Sequence, residues 1–191
     1  YLLPRVVATL AQAHPDLDLL PREAITRTLI AGLHEGTLDA ALLALPVSEA
    51  GLQECPLFEE EFVLVRPLSD AAAPVPSASR LLEMRLLLLE EGHCFRDQAL
   101  SLCTVPASGP RALMEGSSLA TLVQMVSAGI GVTLIPEMAL PVETRSAEVA
   151  VAHFPSPAPR RRIGLVWRRS NPRGPQFEAL GALVRNAAGR G

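Results

Sequence analysis

The feature that most constrains this chain is alternation: short apolar runs take turns with segments whose apolar residues recur at helical spacing. Leu2, Leu3, Val6, Val7 and Leu10 predict a helix over Leu2–Ala13, stopped by His14-Pro15. Leu17 to Leu20 reads as a short strand. Ile25, Leu29, Ile30 and Leu33 mark a second helix, with Gly36 as its left-handed stop. Leu38 to Leu45 is nearly continuous apolar sequence, expected as a strand buried on both faces of a parallel sheet. Helix, strand, helix, strand is the pattern of an α/β protein.

A second unit follows. Phe62 to Arg66 reads as a strand, Leu68 to Ser79 as a Pro/Ala/Ser loop and Leu86 to Glu90 as a buried strand. Gly92-His93-Cys94 predicts a turn and Phe95 to about Cys103 a short helix. After a strand over Ala112 to Glu115, Ser117 is the expected N-cap of a helix carrying Leu119, Leu122, Val123 and Val126. Gly129-Ile130-Gly131 ends that helix, and Val132 to Ile135 and Val149 to Phe154 return as strands. Ile163 to Trp167 is a last strand, and Phe177, Leu180, Leu183 and Val184 mark a last helix. The architecture expected is two Rossmann-like subdomains joined by a double crossover. Subdomain I takes residues 1–58 plus 163–191 and subdomain II residues 59–162. Two crossings imply a hinge, and ligand sites in such pairs lie at strand carboxyl ends and helix N-termini.

Composition narrows the function classes. With 49% hydrophobic and 19% charged residues over 191 positions, the chain has enough apolar content for a packed core. No apolar run reaches the roughly 18–20 residues of a membrane span. A net charge of −3 argues against a broad grip on a nucleic-acid backbone. A helical pattern that begins at Tyr1 points to a piece of a longer protein. The three cysteines, Cys55, Cys94 and Cys103, have no zinc-like spacing, so reduced thiols in a cytoplasmic protein, without metal or cofactor, are expected.

Two familiar motifs fail on their residues. Gly129 and Gly131 follow a helix and open a strand, the reverse of a dinucleotide fingerprint, and Leu134 stands where a third glycine belongs. His93-Cys94 resembles the start of a phosphatase loop, but Leu100 occupies the place of the required arginine. Cys94 nevertheless falls between a strand and a helix, where free N–H groups and the helix dipole favour a thiolate. His93 and a nearby arginine would lower its pKa further, and a thiolate reacts with peroxide to give a sulfenic acid. The residues alone leave Cys94 open between a structural thiol and a reactive one. Cys103 lies nine positions later, about 13.5 Å along a continuous helix, whereas a disulfide tolerates a Cα separation of about 7 Å. In a helix the two could bond only by unwinding it. Cys55 precedes Pro56 in an expected inter-unit connector with no basic neighbour, and reads as a small semi-buried side chain.

The block from Leu89 through Gly92-His93-Cys94-Phe95-Arg96-Asp97-Gln98-Ala99 to Cys103 closely resembles the redox loop of the peroxide-sensing LysR-type transcriptional regulators. Ser117-Ser118-Leu119-Ala120-Thr121-Leu122 and Ala128 to Pro136 resemble the general LysR-type effector-domain signature, and Pro159 to Val166 again looks like the peroxide sensors. The resemblance implies a fold like the periplasmic binding proteins and no enzyme activity. It implies that Cys94 is the peroxide-reactive cysteine and Cys103 the resolving one, joined by a disulfide after oxidation. By the same resemblance Thr26, His93, Asp97 and Arg161 bind peroxide. A second pocket threonine of the family would lie upstream of Tyr1, as would the winged helix-turn-helix that binds DNA. Implied partners are a second copy in a homodimer, a homotetramer at full length, operator DNA, RNA polymerase, and a glutaredoxin- or thioredoxin-type reductant, with no membrane. The rival reading is an effector domain that holds a small organic metabolite, using the helix N-terminus at Ser117 to Leu119 for a carboxylate. A thiol peroxidase shares the first chemical step but needs a thioredoxin-like fold.

Overall fold

The computed structural model describes residues 1–81, 84–90 and 114–188. Its elements run α1 (Leu2–Ala13), α2 (Thr26–Glu35), β1 (Ala40–Leu45), β2 (Leu52–Pro67), α3 (Ala78–Leu81), β3 (Leu86–Leu89), β4 (Met114–Gly116) and α4 (Leu119–Ser127). Then come β5 (Val132–Pro136), α5 (Leu140–Glu143), β6 (Val149–His153), β7 (Arg160–Arg168) and α6 (Gly174–Ala188). The class is α/β. The chain divides into two compact units, residues 1–60 with 161–191 and residues 61–160.

In the first unit β1 pairs antiparallel with β7, Ala40 opposite Trp167 through Leu45 opposite Arg162, and β7 lies beside β2. The parallel, doubly buried strand expected over Leu38 to Leu45 is therefore corrected. Only Ala41 and Leu43 are buried in β1, because its inward face alternates while the other is only half covered. Val6 and Leu10 of α1 pack with Leu57, Leu165, Trp167, Phe177 and Val184, and the Trp167 and Phe177 rings lie 5.6 Å apart at 49°. Leu33 of α2 joins Ala41, Leu43, Leu52 and Val166 in a second cluster. Gly36 closes α2 at φ 79°, a conformation that any side chain would strain. Leu17 to Leu20 is not a strand: Leu20 is 83% exposed, and an apolar run without a ladder partner has nothing to pair with.

The second unit is a mixed sheet in the order β6-β2-β5-β3-β4, antiparallel across β6, β2 and β5 and parallel across β5, β3 and β4. Here the continuous-run argument applies, for Leu86 to Leu89 are all buried between two parallel neighbours. Thr133, buried in β5, donates from its hydroxyl to the Leu87 carbonyl at 2.9 Å, which satisfies its one polar group. The helix after β4 is capped by Ser118, not Ser117. Its extended backbone lets Oγ accept from the Thr121 N–H at 3.1 Å. Gly129 adopts φ 75° to end that helix, and Gly131 runs so close to the Arg85 carbonyl that a Cβ would collide with it. The segment read as a loop over Leu68 to Ser79 holds a 3-10 turn, Leu68–Asp70, and the start of α3. The helix expected over Phe95 to Cys103, and the start of the strand over Ala112 to Glu115, lie outside the described residues. No helix among the described residues is long and apolar enough to cross a membrane.

Candidate functional site

Of the six residues expected in the site, the described part contains Thr26 and Arg161. His93, Cys94, Asp97 and Cys103 lie outside the described residues. Thr26 and Arg161 both belong to the first unit. Thr26 is half-buried and opens α2; Ile25 before it caps the helix in an extended conformation without a side-chain hydrogen bond. The α2 N-terminus therefore carries its partial positive charge uncompensated by a capping side chain.

Arg161 lies near the start of β7, within the run Arg160-Arg161-Arg162. The neighbouring strand β2 carries the complementary run Glu59-Glu60-Glu61. Arg161 donates from Nε and Nη2 to the same oxygen, Glu60 Oε2, each at 2.7 Å. Both side chains are withdrawn from water, Arg161 at 16% exposure and Glu60 at 4%. One position along, Arg162 Nη2 meets Glu59 Oε1 at 3.3 Å in the open. A charge-assisted contact at low exposure is stronger than the same contact in water, and here it is geometrically chelated. Glu60 was not among the residues expected from the sequence. Its signal was present in the facing glutamate and arginine triplets, but which member of each run turns inward depends on the pleat and register of β2 and β7.

Cys55 requires a correction. It lies within β2 and packs against the cluster of Trp167 and Phe177. It does have a basic neighbour, since Arg185 of α6 places Nη1 4.0 Å from Cys55 Sγ while donating to the Pro56 carbonyl at 3.3 Å. That contact joins residues 130 positions apart, beyond the reach of local sequence reading. Among the described residues no group of three or more His, Cys, Asp and Glu side chains is placed to hold a metal.

The chain thus consists of two α/β units, and β2 and β7 each carry residues of both. The sequence matches the LysR substrate binding domain family over residues 1–189, and the chain belongs to that family. Its similar proteins include hydrogen peroxide-inducible genes activators and OxyR regulators. The chain is 46% identical over 190 residues to a probable hydrogen peroxide-inducible genes activator of Mycobacterium avium, covering 96% of this chain and 60% of that one. It is similar to the reduced OxyR regulatory domain of Pseudomonas aeruginosa, with TM-score 0.83 and 35% identity over 98% of this chain and 90% of that one. A cysteine-to-serine mutant of Corynebacterium glutamicum OxyR, solved with hydrogen peroxide bound, superposes with TM-score 0.91 at 37% identity, over 99% of this chain and 61% of that one. The chain thus spans about three-fifths of the length of the curated relatives it matches.

Proposed function

We propose that this chain is the peroxide-sensing regulatory domain of a DNA-binding transcriptional regulator. The Cys94 thiolate attacks one oxygen of hydrogen peroxide, the O–O bond breaks, and hydroxide leaves and is protonated to water. Cys94 is then a sulfenic acid. The Cys103 sulfur attacks it, the S–O bond breaks, a second water leaves and a disulfide remains. Two thiols lose two electrons and one peroxide becomes two waters. Thr26, His93, Asp97 and Arg161 are the proposed peroxide-binding residues. The carrying observation is this chain's own Gly92-His93-Cys94-Phe95-Arg96-Asp97 block, followed by Cys103, in a domain 37% identical to one solved with hydrogen peroxide bound.

At full length the proposed partners are a second copy in a homodimer, assembled to a homotetramer, operator DNA and RNA polymerase, with a glutaredoxin- or thioredoxin-type dithiol resetting the disulfide. Stopped-flow oxidation of single-cysteine variants tests the chemistry. Cys94→Ser should abolish peroxide consumption, whereas Cys103→Ser should still react and trap a sulfenic acid that a dimedone-type reagent labels on Cys94. Undiminished consumption by Cys94→Ser would sink the reading.

A further inference from the structure

The reaction as proposed assigns nothing to Glu60, yet Glu60 holds one of its residues. Burying a carboxylate at 4% exposure carries a large desolvation penalty. Well-packed apolar residues often replace such a buried pair without loss, so stability alone does not account for it. What the pair supplies is direction. Arginine has a long side chain with several rotatable bonds and a planar head. Glu60 Oε2 engages Nε and Nη2 together at 2.7 Å, which fixes the orientation of the guanidinium plane as well as its distance. The two residues also stand at matching places in the chain. Glu60 is the last residue of the first unit before the chain leaves it, and Arg161 the first on its return. The backbone of β7 and the carboxylate on β2 thus hold the guanidinium from two strands.

We infer that Glu60 is a positioning residue, which aims the Arg161 guanidinium for the reaction of Cys94 with peroxide. The inference rests on the proposed role of Arg161 in that reaction. Glu60 itself forms no bond to peroxide and exchanges no proton in it.

Two substitutions separate aim from charge. Glu60→Asp keeps the charge but draws the carboxylate back by one methylene, and Glu60→Gln keeps the length and an acceptor oxygen but loses the charge. The reduced full chain of each variant is mixed with peroxide and Cys94 oxidation is timed, with thermal melting measured alongside. Misplacing an aligned group by about 1 Å slows a reaction on the order of ten- to a hundredfold, so Glu60→Asp should lose at least about tenfold and Glu60→Gln no more than about threefold. Melting should follow the opposite order, because Glu60→Gln removes one charge of a buried ion pair whereas Glu60→Asp keeps both. On an Arg161→Ala background neither substitution should slow the reaction further. Glu59→Ala, which breaks the exposed neighbouring pair, should react like the parent. Rates that rank with melting temperature, or an equal slowing by Glu60→Asp on both backgrounds, would overturn the inference while leaving Arg161 in the site. If Arg161→Ala alone reacts at the parental rate, the role proposed for Arg161 fails and the inference with it.

Discussion

The two arginine–glutamate contacts at the strand crossing, at 2.7 and 3.3 Å, differ little in distance, yet their energetics differ in kind. Arg161 and Glu60 are withdrawn from water, so Arg161→Ala removes one partner of a buried ion pair and should destabilise the domain by about 3–5 kcal/mol in denaturant unfolding. Arg162→Ala breaks a pair whose side chains are 56% and 43% exposed and should shift stability by at most about 1 kcal/mol. Equal shifts would mean that solvent reaches both pairs alike. Gly131 gives a third contrast, since a methyl group there meets the Arg85 carbonyl. Gly131→Ala should cost about 1–3 kcal/mol by overpacking, read as a lower denaturant midpoint at unchanged slope. The contrast between the two arginine pairs depends on which residue of a run faces inward. That was invisible in the triplets of like charge, and the contact of Arg185 with Cys55 was hidden by its separation in the chain.

Local pattern carried most of the elements. The helical spacing of Leu2 to Leu10 and the glycine stop at Gly36 mark α1 and α2 where the backbone places them, because amphipathic period and left-handed caps are local properties. Leu38 to Leu45 and Leu86 to Leu89 look alike as runs, yet the first pairs antiparallel with β7 and the second is parallel to both neighbours. Partner choice belongs to the whole sheet and leaves no mark inside a run. The Ser118 cap can be weighed on its own: Ser118→Ala removes the acceptor for the Thr121 N–H and should cost about 0.5–2 kcal/mol. The peroxide reaction should be unaffected, since a site for a carboxylate effector at that helix end would be lost and a thiol site would not. If residues 95–103 form the helix that the sequence predicts, joining Cys94 to Cys103 would unwind about two turns of it. Burial of its apolar side chains and closure of a short disulfide loop are each worth a few kcal/mol, so a covalent bond can choose between the states. Amide exchange across residues 94–110 should rise on oxidation; equal protection in both states, with the disulfide verified, would make the bond a passive link.

At the scale of the whole molecule, self-association depends on the apolar helix faces left uncovered. Val123 and Val126 are fully buried within their own unit, and Leu10 is 6% exposed. Leu3 and Val7 of α1 remain half-exposed, so a homodimer in solution would draw on α1. Leu3→Glu should then raise the dimer dissociation constant in sedimentation at tens of micromolar, and an unchanged monomer–dimer balance would remove α1 from the contact. Shifts of sequence pattern near Phe58 to Phe62 and near Arg162 are where the sequence expects the chain to cross, and the structure divides into units after residues 60 and 160. The central claim is redox chemistry at two named cysteines, and one measurement meets it directly. The reduced chain is treated with one equivalent of hydrogen peroxide, alkylated, digested without reductant and mapped by mass spectrometry. The account predicts a peptide pair linked Cys94 to Cys103, with Cys55 alkylated as before. Free Cys94 and Cys103 after complete peroxide consumption, or a bond to Cys55 in their place, would contradict it.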